Sequence, residues 1–123
     1  MVSLSPNIYV ENVQSTIDYY KLLGFSVVMT VPEDQVNPIW VMMQNAAVTI
    51  LFESFENIAG KLPQINRSKG GSLLLYIKVE NIQEYFDSVK DHVQILHPLQ
   101  KTFYGATEFS IEDCNGYVLT FAN

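Results

Sequence analysis

Glu108 is the residue in this sequence whose type and setting come closest to chemistry. Alternation along "ATEFSIED" puts Glu108 and Ser110 on one face of a strand. A carboxylate held at mid-strand on an inward face is costly unless it is paired or functional. It would serve as an acceptor for a ligand, or as a general base if its proton affinity were raised. Lys78, in "LLLYIKVEN", is the candidate partner; it either pairs with Glu108 or meets an anionic ligand, and the alternative is that both sit at a solvent-exposed rim. Tyr9, Tyr76 and Tyr104 add hydroxyls and rings at low entropic cost.

The other reactive side chains make a poorer case. His92 and His97 are the only histidines, one near an expected helix end and one before Pro98, positions where histidine sits at the surface without binding metal. Cys114 has Glu112 and Asp113 as neighbours, which raise a thiol's pKa rather than activate it. No Ser-His-Asp spacing, phosphate-cradling glycine loop or dinucleotide fingerprint is present, and "SKGGS" reads as linker.

The elements that must position these groups come from a repeat. "IYVENVQSTIDYYK" at residues 8–21 returns as "IKVENIQEYFDSVK" at 77–90, an offset of 69 (79 minus 10, for the valine of each copy). Self-similarity of this kind marks a duplicated supersecondary unit. Each copy opens with period-two alternation (Ile8, Val10) and then turns helical (Val13, Ile17, Tyr20). Asn12 and Asn81 fall where N-caps belong, and Glu84 lies three residues on, as in a capping box. Gly24 supplies the left-handed exit of the first helix, and the second helix is expected to end near His92.

Beyond the helices, "FSVVMTV", "IWVMMQ" and "AAVTILFE" read as strands in the first half, and "ATEFSIED" and "YVLTFAN" form a hairpin around Asn115-Gly116 in the second. "HPLQKTFYG" is expected to be irregular, like "VPEDQVNP". The pattern predicts an α+β fold of two tandem βαβββ modules. Their boundaries fall at about residues 1–56 and 71–123, with "NIAGKLPQINRSKGG" as connector from about 57 to 70. One helix covers only one face of each sheet, so the modules are expected to form a cupped, barrel-like mixed sheet with helices outside and a cleft within.

Composition excludes several functions. With 123 residues, 48% of them hydrophobic, the chain suits a single domain with a real core. Its 13 acidic and 7 basic residues give a net charge of −6, which repels nucleic-acid backbones. No apolar run spans a bilayer, the first residues carry no signal-peptide pattern, and one cysteine allows no internal disulfide. A cytoplasmic protein without membrane or nucleic-acid partners is expected.

The sequence resembles the vicinal-oxygen-chelate superfamily of glyoxalases, bleomycin-resistance proteins and extradiol dioxygenases. The likeness rests on "IYVENVQSTIDYYKLLGFSVV" and on "EFSIEDCNGYVLTF", where Asp113-Cys114-Asn115-Gly116 replaces the usual Asp-Pro-Asp-Gly. The resemblance implies metal ligands at points matching Ser5, Ile50, Leu74 and Thr120. Ile50 and Leu74 have no lone pair to offer, so no metal cofactor is expected. With Ile50 and Thr120 as inward markers, Trp40, Met42, Val48 and Phe52 line the first half, and Glu108, Ser110 and Val118 the second. Asn7, Tyr9, Leu74, Tyr76 and Lys78 join them, and Phe103 and Tyr104 form a lip.

This wall is aromatic and apolar with a few polar points, as in small-molecule sites. The ligand-binding residues read from it are Asn7, Tyr9, Trp40, Met42, Phe52, Tyr76, Lys78, Phe103, Tyr104, Glu108 and Ser110. The leading expectation is metal-free sequestration of a small, partly apolar or aromatic molecule by a homodimer, as in bleomycin-resistance-type proteins. The competing one is a glyoxalase-like lyase with Glu108 as general base.

Overall fold

The computed structural model describes residues 1–33, 36–65 and 70–123. The chain divides into two compact units, Met1–Arg67 and Ser68–Asn123.

The first unit contains β1 (Asn7–Val10), α1 (Val13–Leu22), β2 (Ser26–Val31), β3 (Trp40–Asn45), β4 (Val48–Ser54) and the single-turn α2 (Phe55–Ile58). The second contains β5 (Leu74–Lys78), α3 (Ile82–Val89), β6 (Gln94–Lys101), β7 (Thr107–Glu112) and β8 (Val118–Ala122). Each unit is a βαβββ module with a four-stranded mixed sheet, ordered β1-β4-β3-β2 in one and β5-β8-β7-β6 in the other. The first and last strands of each module run parallel, and the remaining pairs are antiparallel. The architecture is therefore the α+β duplication expected from the repeat.

Helix α1 begins and ends by sequence-coded devices. The Asn12 side chain accepts from the Ser15 backbone N–H at 2.8 Å, satisfying one orphan donor of the first turn. At the other end Gly24, with φ +92°, sends its N–H to the Lys21 carbonyl, and the Phe25 N–H reaches the Tyr20 carbonyl at 3.0 Å. This is a Schellman exit, and its hydrophobic clasp is the edge-on contact of Tyr20 with Phe25, centroids 5.6 Å apart.

The second copy departs from the first at both helix ends. The Asn81 side chain caps no backbone group and instead donates to the Glu84 carboxylate at 2.9 Å. The expected capping box does not form, because the amide nitrogen rather than the oxygen faces the helix. Helix α3 ends at Val89, short of His92.

Each helix packs on one face of its own sheet. Val10, Val41, Met43, Ile50 and Phe52 are buried on that face in the first unit, with Tyr20 of α1 against Phe52 at 4.6 Å between centroids. In the second unit Phe86 meets Phe109 at 5.0 Å, Tyr85 meets Phe121 at 4.9 Å, and Phe109 stacks on Phe121 at 5.1 Å.

The stretch expected to be irregular, "HPLQK", is strand: it belongs to β6, and His97 with it. Pro98 is tolerated because β6 is the sheet edge, where a missing N–H breaks no inner ladder, and the register shifts on both sides of His97 absorb it. The β7–β8 turn is organised by Asp113, almost wholly buried, whose Oδ1 accepts from the N–H groups of Asn115 at 2.9 Å and Tyr117 at 2.8 Å. Burial, and then the Asp113 charge, push the Tyr117 hydroxyl pKa up. Among the described residues no helix is long and apolar enough to cross a membrane.

Candidate functional site

The face of each sheet turned away from its helix follows from strand register, because residues paired across a ladder point the same way. In the second unit Tyr76 pairs with Thr120 and Ser110 with Thr120, while Lys78 and Glu108 both flank Ala122. Leu74, Tyr76, Lys78, Glu108, Ser110, Val118 and Thr120 thus share the open face, as alternation had placed them.

Glu108 is the hub of this face. Its Oε1 accepts from the Tyr76 hydroxyl at 2.9 Å and also from the Tyr104 hydroxyl. Both phenols are held above their ordinary pKa, first because the carboxylate accepts their hydrogen bonds, then through desolvation and the carboxylate's charge. They are therefore fixed as donors at neutral pH. Both hydroxyls converge on one oxygen, which leaves Oε2 for another group. Nearby, the Ser110 and Thr120 hydroxyls bond to each other at 2.8 Å.

Lys78 is not the partner of Glu108. The two residues flank Ala122 from opposite sides of β8, and no ion pair joins them. Two tyrosines take the role expected of the lysine.

Tyr104 reaches Glu108 from the β6–β7 loop, which is internally braced: the Thr102 N–H bonds the Ala106 carbonyl at 2.8 Å, and the Ala106 N–H bonds the Thr102 hydroxyl at 3.1 Å. Phe103, at its tip, is fully exposed and stands edge-on to Tyr104 at 5.0 Å.

In the first unit the register corrects the expected lining. Ile8 pairs with Phe52, Val41 with Phe52 and Met43 with Ile50, so Ile50, Phe52 and Val48 lie on the helix side. Phe52 is completely buried there and belongs to the core rather than to a ligand surface. The open face instead carries Asn7, Tyr9, Trp40, Met42, Thr49, Leu51 and Glu53. Ile50, the point matched to a metal ligand, therefore lies on the helix side, and its open-face neighbours Thr49 and Leu51 carry neither imidazole nor carboxylate. Among the described residues no three His, Cys, Asp or Glu side chains gather as a metal site would require.

Glu53 is the residue that the sequence reading missed. Its Oε1 accepts from the Asn7 amide at 3.2 Å and its Oε2 from the Asn57 amide at 2.9 Å. The Asn7 amide also approaches the Tyr9 hydroxyl at 3.4 Å, and that phenol is pushed up by burial and then by the Glu53 charge. The signal was present: in "VTILFES" Ile50 and Phe52 alternate with Thr49, Leu51 and Glu53, and only the first pair is wholly apolar.

The fold has close structural counterparts at low sequence identity. TioX from Micromonospora sp. ML1 superposes with a TM-score of 0.80 at 13% identity, covering 100% of this chain and 98% of TioX. A bleomycin-binding protein in complex with bleomycin gives 0.72 at 17% identity, again over 100% and 98%. A bleomycin resistance determinant encoded on the transposon Tn5 gives 0.73 at 17%, with the same coverage. Comparison with curated proteins finds no match. The duplicated module and these counterparts agree with a family profile that matches residues 3–121, and the chain belongs to the Glyoxalase/Bleomycin resistance protein/Dioxygenase superfamily.

Proposed function

We propose that this protein binds a small, partly apolar or aromatic molecule on the open face of its second sheet and holds it without converting it. The observation that carries this reading is Glu108 with its two tyrosines. Their rings offer flat apolar surface, while the free Oε2 selects a ligand that brings an N–H or O–H donor. Phe103, exposed at the neighbouring loop, gains most from covering an aromatic ligand. The reading needs no metal, since the face supplies acceptors and rings rather than a chelating set, and it includes a homodimer.

Calorimetric titration with flat aromatic compounds bearing N–H or O–H groups tests it, and bleomycin belongs in the panel because a structural counterpart binds it. Saturable binding weakened about tenfold by Glu108→Gln is expected, the usual scale for a hydrogen bond to a charged acceptor. No saturable ligand, or binding indifferent to Glu108→Gln, sinks the proposal. Sedimentation velocity checks the dimer.

The free Oε2 also favours a second reading, in which Glu108 is the general base of a glyoxalase-like lyase. Solvent deuterium entering the α-position of a 2-hydroxycarbonyl substrate, and lost in Glu108→Gln, would move the protein into that class.

A further inference from the structure

The four strands of the first sheet read "NIYV", "SVVMTV", "WVMMQN" and "VTILFES", and Glu53 is the only charged residue in them. It is half-buried, and no ammonium or guanidinium group among the described residues pairs with it. Its two partners are neutral amides, from Asn7 and Asn57, which orient the carboxylate without cancelling its charge. Trp40 stands directly opposite Glu53 across the antiparallel β3–β4 ladder. Tyr9 stands opposite it across the parallel β1–β4 ladder. Both rings therefore rise on the same face as the carboxylate, one on each side, at a strand spacing of about 4.8 Å.

An oriented carboxylate with no cationic partner among the described residues, set between two electron-rich rings, is complementary to one chemistry. A cation there gains Coulomb attraction from the carboxylate and quadrupole attraction from tryptophan and tyrosine, both strengthened by partial desolvation. An anion is repelled by all three groups, and a neutral apolar group leaves the half-buried charge with no added partner.

We infer that the open face of the first sheet, at Glu53 with Trp40 and Tyr9, is a recognition site for an organic ammonium group, either a protonated amine or a quaternary ammonium. The site differs from the Glu108 site in its residues, its sheet and its ligand chemistry. It requires only positive charge on a compact alkyl centre, and the two sites can fail independently.

Trp40 is the only tryptophan, so its fluorescence reports the site directly. The test titrates choline and its uncharged isostere 3,3-dimethyl-1-butanol against the full chain, up to about 50 mM, to cover millimolar affinities. Choline should change Trp40 emission saturably, and its N-methyl proton resonance should move upfield as it meets the ring faces. The alcohol should bind at least about tenfold more weakly, and Glu53→Gln should weaken choline by a similar factor. Equal binding of the alcohol, no saturable choline signal, or unchanged affinity in Glu53→Gln overturns the inference. Should Glu53→Gln not fold, Tyr9→Leu read by the N-methyl shift takes its place. A loss of at least threefold supports the site, and an unchanged shift overturns it.

Discussion

Substituting Phe52 and Leu51 separately tests which face of the first sheet is closed by the helix. Phe52 is fully buried and packs on Tyr20 with 4.6 Å between ring centroids, whereas Leu51, its neighbour in sequence, is half-buried on the opposite face. Phe52→Ala removes a complete aromatic side chain from a closed core and should cost about 3–5 kcal/mol. An unfolding entropy of about 2.1 cal/mol/K per residue amounts to about 0.26 kcal/mol/K for a chain of this length, so the Tm should fall by about 10–20 °C. Leu51→Ala loses only part of a leucine's burial, about 1 kcal/mol or some 4 °C. Scanning calorimetry of the two variants beside the parent decides the matter. Equal shifts, or a larger one for Leu51→Ala, would refute the assignment of faces and with it the placement of Glu53 and Trp40 together.

The two N-caps should respond unequally: Asn12→Ala should lose about 1 kcal/mol in urea denaturation, and Asn81→Ala less than half of that, because only Asn12 accepts a backbone N–H. In a spectrophotometric titration Tyr76 and Tyr104 should ionise above their ordinary value of 10.0, and Glu108→Gln should bring both back toward it. Since their folded pKa values are raised, the stability that these bonds contribute is fully present below pH 10 and is lost as pH rises through the folded values. Gly70 has φ +76°, and a Cβ there would lie 2.2 Å from the Gly116 carbonyl oxygen, so Gly70→Ala should lower the Tm by at least about 4 °C, read by circular dichroism.

The duplicated framework was legible because its signals are local. Val10-Glu11-Asn12 and Val79-Glu80-Asn81 each mark a strand passing into a helix, and Gly24 marks an exit that only a left-handed residue makes well. The second sheet's open face was legible for the same reason, since Phe109 and Ile111 alternate cleanly with Glu108 and Ser110. In the first sheet Ile50 faces the helix rather than the cleft, and a one-residue error in a strand turns every side chain over. It carried Phe52 to the wrong face and hid Glu53. The Glu108 contacts had no sequence signature, because Tyr104 arrives from a loop whose path depends on the Thr102–Ala106 bonds, and Tyr76 from two strands away. Pro98 misled because proline is read as a strand breaker, and its tolerance depends on β6 being an edge, which is known only once the strand order is known.

The rungs of the two ladders can be matched one to one. Trp40 pairs with Glu53 as Glu108 pairs with Ala122, and Tyr9 flanks Glu53 as Lys78 flanks Ala122. At this rung the copies have thus exchanged which strand bears the acid, β4 in the first unit and β7 in the second, each at a position where its twin is uncharged. Retargeting either half is then a matter of transposing outward residues between corresponding rungs, leaving the inward aromatic stacks, and hence foldability, untouched.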